Sequence, residues 1–161
     1  MSHPLDGIMG PECYHVWDQI SEFASLRKFY LAGDTALALR LHHRTSTDLD
    51  FFLNASFDSE VLYADLNTLP FTLAIQQITD STLNVLCDRV RVQFLACPGQ
   101  TQLEPSEKVG HANVAAIPDI LAMKLKALLD RGKLRDYFDL MMIDRSTSYS
   151  VELALYLSRI G

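Results

Sequence analysis

Positive charge is scarce in this chain, with 14 lysines and arginines against 20 acidic residues and a net charge of −6. That balance argues against broad electrostatic capture of nucleic acid, which needs a basic surface, although Arg40, His43, Arg44, Lys124, Arg131 and Arg135 would allow a local basic mouth. Cysteine is also sparse. Cys13, Cys87 and Cys97 are odd in number, scattered, without Cys-x-x-Cys spacing, and follow no signal-peptide pattern. They exclude a disulfide scaffold and a cysteine metal knuckle; a reducing cytoplasm is the expected compartment, with each thiol a small buried hydrophobe. No apolar run approaches the ~18 residues of a membrane span. Repeats, low-complexity tracts and domain-dividing linkers are absent too, and 48% apolar with 21% charged residues is a globular rather than a disordered composition. One domain over residues 1–161 is expected, with a sheet core over about 29–97 and C-terminal helices over about 117–160.

What is present concentrates in residues 29–52. Asp48 and Asp50 flank Leu49 and lead into Phe51, Phe52 and Leu53, a run that reads as a mostly buried strand. Alternate strand residues share a face, so the two carboxylates stand together. They repel each other unless a cation lies between them, and Mg²⁺ takes carboxylate oxygens while keeping positions open for phosphates. Alone, Asp-x-Asp reads more readily as a polar strand start whose aspartates cap turns. Upstream, Gly33 breaks the apolar run Phe29 to Ala32, and Thr35 to Leu41 reads as about two helical turns. A glycine before a helix lets backbone approach a ligand, and the first free N–H groups favour an anion, so a phosphate is expected there. An ordinary helix start has the same pattern.

A second block lies at residues 117–143. Ile117-Pro118-Asp119 starts a helix whose buried stripe is expected to be Leu121, Leu125, Leu128 and Leu129, with Lys124, Ala127 and Arg131 along another face and Gly132 as the stop. A further helix from about Leu134 to Ile143 is expected to turn Leu134, Phe138 and Met141 inward, with Arg135 and Asp139 four apart as an ion pair. Read by themselves, Lys124 is a solvated helix lysine, and Asp136 and Asp139 are surface pairing groups.

Together the blocks resemble the AbiEii-type nucleotidyltransferase toxins of abortive infection and type IV toxin-antitoxin systems, within the DNA polymerase beta-like nucleotidyltransferase superfamily. The resemblance rests on Leu31-Ala32-Gly33-Asp34-Thr35-Ala36-Leu37, His42-His43-Arg44, Ser46 and Asp48-Leu49-Asp50-Phe51-Phe52, followed by Lys124 through Leu140. It implies an α/β (α+β) fold with a small mixed sheet flanked by N- and C-terminal helices. It implies transfer of a nucleoside monophosphate from an NTP to an acceptor hydroxyl. Asp48 and Asp50 would be the ligands of Mg²⁺ or Mn²⁺, and Asp48, Asp50, Lys124 and Asp139 the catalytic set. Gly33, Asp34, Thr35, Arg44, Ser46, Lys124, Arg131, Arg135 and Asp136 would bind nucleotide. The implied partners are NTP, an RNA acceptor such as tRNA and a cognate antitoxin protein, with no membrane. The alternative is a catalytically weak or inactive domain that binds a nucleotide or a partner protein; a small-molecule nucleotidyltransferase of the antibiotic-modifying kind is a third reading.

Three positions depart from the family pattern. Asp34 replaces the usual Gly or Ser, placing a carboxylate where a triphosphate would sit, and is expected to cap the following helix. Gln93, on an expected strand Arg89–Ala96, stands near where many relatives carry a third acid. His42 replaces a glycine before His43-Arg44 as a turn change. Elsewhere, a helix is expected over Pro11 to Leu26, another over Asp58 to Leu66, and strands over Phe71–Thr79, Thr82–Cys87 and Arg89–Ala96. A crossing loop is expected over Gly99 to Asn113 and a last helix over Val151 to Ile160.

Overall fold

The computed structural model describes residues 5, 7–150 and 152. Helix α1, Pro11–Ser21, has proline in its first turn and buries Cys13, Val16, Trp17 and Ile20 at helical spacing. The expected helix to Leu26 is interrupted at Phe23, whose backbone is extended, and resumes only as a 3₁₀ turn over Ala24–Leu26. Strand β1 (Tyr30–Ala32) runs directly into helix α2 (Gly33–Leu41), then β2 (Leu49–Leu53) and α3 (Ser59–Leu66) follow. Asp58 caps α3 by accepting from the backbone N–H groups of Glu60 and Val61.

The expected meander is β3 (Leu73–Thr79), β4 (Thr82–Cys87) and β5 (Val90–Ala96). Its β4–β5 turn carries Asp88 at a positive φ of 54°, a conformation aspartate tolerates. His42, at φ 53°, ends α2 in the same left-handed region, which accounts for the glycine of the family pattern. The segment expected to be a plain crossing loop instead carries a hairpin of β6 (Glu107–Val109) and β7 (Ala112–Val114). These strands, three residues each, are too short to announce themselves; β7 forms because β1 offers it a parallel edge, with Tyr30 opposite Asn113. Helices α4 (Ile117–Arg131) and α5 (Leu134–Ser146) close the described chain. Of the expected helix over residues 151–160 only Glu152 is among the described residues, and it is helical.

The seven strands make one mixed sheet in the order β3-β4-β5-β2-β1-β7-β6. At its centre, β1 is antiparallel to β2 with Ala32 opposite Asp50, and β2 is parallel to β5 with Asp50 opposite Gln93. Phe29, Phe94, Leu31, Leu37, Leu49, Ile120 and Ile143 fill the core between sheet and helices. Cys13 and Cys87 are buried there as expected, whereas Cys97 is only half-buried.

Both C-terminal helices differ from the expected faces. In α4, Leu121 and Leu125 are buried, but Leu129 is 81% exposed. In α5, Leu134 is 85% exposed, and Phe138 and Met141 are also exposed, while Asp136, Asp139, Leu140 and Ile143 face inward. Hydrophobic periodicity points partly the wrong way here because partner cations, together with the apolar neighbours of Leu140 and Ile143, decide which face of α5 is buried.

Candidate active site

The junction of β1 with α2 sets the floor of a cleft of about 300 Å³. Its sheet wall carries Asp48, Asp50, Arg91 and Gln93; its helical wall carries Lys124 and Arg131 of α4 and Arg135 of α5. Gly33 is required at the junction for two reasons. Its φ is +69°, and a Cβ added there would stand 2.9 Å from Asp50 Oδ2.

The paired aspartates differ in their surroundings. Asp48 Oδ2 accepts a hydrogen bond from Arg91 at 2.8 Å. The Asp50 carboxylate has no hydrogen bond or ion pair among the described residues. Burial, reinforced by the charges of Asp48 and Asp34 and opposed by Arg91 and Lys124, pushes its pKa up to about 6. An under-compensated carboxylate beside a second one, both facing a cleft, is a hard oxygen donor set that fits Mg²⁺ or Mn²⁺.

Behind the helical wall lies a buried ion network. Lys124, only 3% exposed, contacts Asp34 Oδ1, Asp139 Oδ2 at 2.6 Å and Asp136 Oδ1 at 3.4 Å. Asp139 also accepts from Arg44 Nε and Nη2 at 2.8 and 2.7 Å, a bidentate pair, and lies 2.8 Å from His43 Nε2. Burial alone would raise the Asp139 carboxyl, but Arg44, Lys124 and His43 outweigh it and hold it well below the usual carboxylate range. Asp136 pairs with Arg131 at 3.2 Å. Asp34 is likewise held below its ordinary value, because Lys124 and then Arg44 overcome its burial.

Asp34 is not the helix cap. The cap position is Ala32, without a side-chain cap bond, and Asp34 sits in the first turn of α2. Its carboxylate instead meets Lys124, Arg44 at 3.0 Å and Arg135 at 3.4 Å. The expected Arg135–Asp139 pair does not form, since Arg135 reaches Asp34 and Asp139 is taken by Arg44, Lys124 and His43. Asp34, Asp136 and Asp139 offer oxygens within 4.8 Å of one another, but four cations already neutralise them.

The structure therefore brings Gly33, Asp34, Asp48, Asp50, Lys124, Arg131 and Arg135 to the cleft, and places Arg44, Asp136 and Asp139 behind Lys124. Thr35 and Ser46 do not line it. They are buried and hydrogen-bonded to each other at 2.7 Å, and Thr35 also donates to the Asp48 carbonyl, tying the start of β2 to α2. The basic mouth is smaller than expected, because Arg40 is spent on Glu107 and on the carbonyls of Val114 and Ala115, and the His43 side chain is fully buried. Arg91 was missed by sequence reasoning. Its signal was strand alternation with Gln93, which puts both on the cleft face.

Residues 89–159 match the model of the family described as nucleotidyl transferase AbiEii toxin, type IV TA system. The structure of ANT(2″)-Ia in complex with adenylyl-2″-tobramycin superposes with a TM-score of 0.67 at 13% identity, covering 91% of this chain and 96% of that one. The fold is a nucleotidyltransferase fold. JHP933 from Helicobacter pylori superposes with a TM-score of 0.60 at 21% identity, over 86% of this chain and 68% of that one. An uncharacterized protein of Aquifex aeolicus (strain VF5) is 34% identical over 128 residues, 77% of this chain; the chain spans 61% of that relative's length. The family match spans the second sequence block and bears out the resemblance to AbiEii nucleotidyltransferases there, and the architecture bears out the α/β fold with a mixed sheet. Among the described residues no helix is long and apolar enough to cross a membrane.

Proposed function

We propose that this nucleotidyltransferase domain moves a nucleoside monophosphate from an NTP to an acceptor hydroxyl, as the toxin of a toxin-antitoxin or phage-defence pair, with cytoplasmic RNA such as tRNA as the acceptor. The observation that carries the reading is the facing of two walls: Asp48 and Asp50 on the sheet, Lys124, Arg131 and Arg135 on the helices, across one cleft.

A divalent ion held by Asp48 and Asp50, Mg²⁺ or Mn²⁺, would supply Lewis acidity toward the phosphates and the attacking oxygen. The protein's part is placement. Gly33 keeps the floor low enough for phosphate to approach backbone and Asp50 together. Arg131 and Arg135 present guanidinium groups suited to phosphate oxygens, and Lys124 acts as a point charge whose direction is set by Asp139. Arg44 holds Asp139 in place, and Asp136 pairs with both that lysine and Arg131. Thr35 and Ser46 act indirectly, by fixing the loop that delivers Asp48. The acceptor oxygen would bond to the α-phosphorus as the bond to pyrophosphate breaks.

A second reading is favoured by one observation. Asp34 already occupies Lys124, Arg44 and Arg135, so the domain has an internal anion where a triphosphate would bind, as expected of a weak or inactive binding domain. Incubation with each α-labelled NTP, Mg²⁺ and total RNA separates the two. Label in RNA that is lost with Asp48→Asn supports transfer. NTP binding without transfer to RNA or to small hydroxyl acceptors supports the second reading.

A further inference from the structure

We propose that the cleft holds a single divalent ion, because Gln93 withholds the ligand that a second ion needs and Arg91 already supplies a second positive charge. The inference rests on the nucleotidyl-transfer reading in taking Asp48 and Asp50 as ion ligands.

The argument starts from register. Strand β5 runs parallel to β2, and Gln93 lies directly opposite Asp50. Paired residues on neighbouring strands stand ~5 Å apart on the same face, so Asp50 has Gln93 on one side and Ala32 on the other, and of these Gln93 alone carries a polar side chain. Along the cleft face β5 contributes Arg91, Gln93 and Leu95: a cation, a neutral amide and an apolar group, with no carboxylate.

Ligand count and charge then decide. Two ions at the ~3.5–4 Å spacing of two-metal sites bring four positive charges and need anionic oxygens on both sides. The sheet wall offers Asp48 and Asp50, and one Asp48 oxygen is shared with the Arg91 guanidinium at 2.8 Å. Asp34 is engaged by Lys124, Arg44 and Arg135. Asp130, the other acid lining the cleft, is exposed near the end of α4. Of the protein's own groups, two carboxylates balance one divalent ion, and the phosphate oxygens of a nucleotide would lie on the helical, cationic side of the cleft rather than replace a carboxylate on β5. A second ion on the β5 side would meet the neutral Gln93 amide and the Arg91 guanidinium, a charge of its own sign.

The test is to count Mn²⁺ by equilibrium dialysis with excess non-hydrolysable NTP analogue, and to record the electron paramagnetic resonance spectrum of the bound ion. The wild-type protein is expected to hold one ion per chain with an uncoupled six-line signal. Gln93→Glu, nearly isosteric, is expected to bind two ions whose spectra couple; Gln93→Asp gives the same test with a shorter reach, and melting curves check that both fold. Two coupled ions in the wild-type protein would overturn the single-ion inference and leave nucleotidyl transfer standing. One ion retained in both folded variants would overturn the role of Gln93. No bound Mn²⁺ with or without nucleotide would remove both the inference and the reading beneath it.

Discussion

Lys124 and Asp139 meet at 2.6 Å across two helices, the lysine 3% exposed and the aspartate fully buried. Neither charge has water to fall back on, so each depends on the other and on the Arg44, His43, Asp34 and Asp136 groups around them. The pair joins α4 to α5 and also sets the only lysine on the cleft's described wall.

Breaking that network should cost more than an ordinary surface change. Removing one partner of a buried pair leaves an uncompensated charge, which typically costs about 3–5 kcal/mol. Asp139→Asn keeps the shape and should lose stability of that order in urea unfolding at pH 7, whereas Arg89→Gln, whose pairing with Glu12 at 3.9 Å is exposed on both sides, should lose little. Equal losses for the two variants would mean that the network contributes nothing special.

Asp50 should act in the opposite sense. Its carboxyl titrates near 6 in the folded protein against 3.8 ordinarily, so between those values the native state binds more protons than the unfolded chain. Stability from this group therefore falls as pH rises from about 4 to about 6 and stays low above. Asp50→Asn, measured without metal, should gain up to about 2–3 kcal/mol over the parent at pH 7 and little at pH 4. It should also abolish Mn²⁺ binding. A variant less stable than the parent at pH 7 would show that Asp50 is not an under-compensated acid.

Gly33→Ala probes the floor of the cleft. The added Cβ would stand 2.9 Å from Asp50 Oδ2 in a backbone conformation at φ +69° that alanine adopts only with strain. The variant is expected to lose about 1–2 kcal/mol from the left-handed conformation alone and more from the contact. Because the contact is with a metal-ligand candidate, Mn²⁺ affinity should fall together with stability. Calorimetry that finds stability lost and Mn²⁺ affinity unchanged would separate Gly33 from the ion site.

The sharpest test of the cation wall is Asp34→Ala. The change removes a carboxylate held by Lys124, Arg44 and Arg135, so the folded state should lose about 1–3 kcal/mol. The same change frees those cations, and inorganic triphosphate should bind more tightly by on the order of 1–3 kcal/mol. The two effects have opposite signs. Weaker triphosphate binding in isothermal titration would make Asp34 part of the ligand site instead of a competitor for it.

Much of this protein is settled by local sequence. Gly33 before a helix and Asp48-x-Asp50 at a strand start announce the cleft floor and its acids, since both depend on backbone geometry that neighbours along the chain dictate. Ile117-Pro118 and Gly132 likewise bound α4 by rules that operate within one turn. What the local pattern does not hold is who meets whom across the fold. Leu134 and Phe138 sit at apolar helical spacing yet face outward, and Asp136 and Asp139 face inward, because Arg44, Lys124 and Arg131 arrive there from other elements. Asp34 reads as a cap but is drawn to the same cations. The hairpin of β6 and β7 and the Arg91–Asp48 contact are of the same kind, being fixed by an edge and by a strand register that form only on folding. A buried charge is stable only where its counter-charge has been delivered, and that delivery belongs to the tertiary structure.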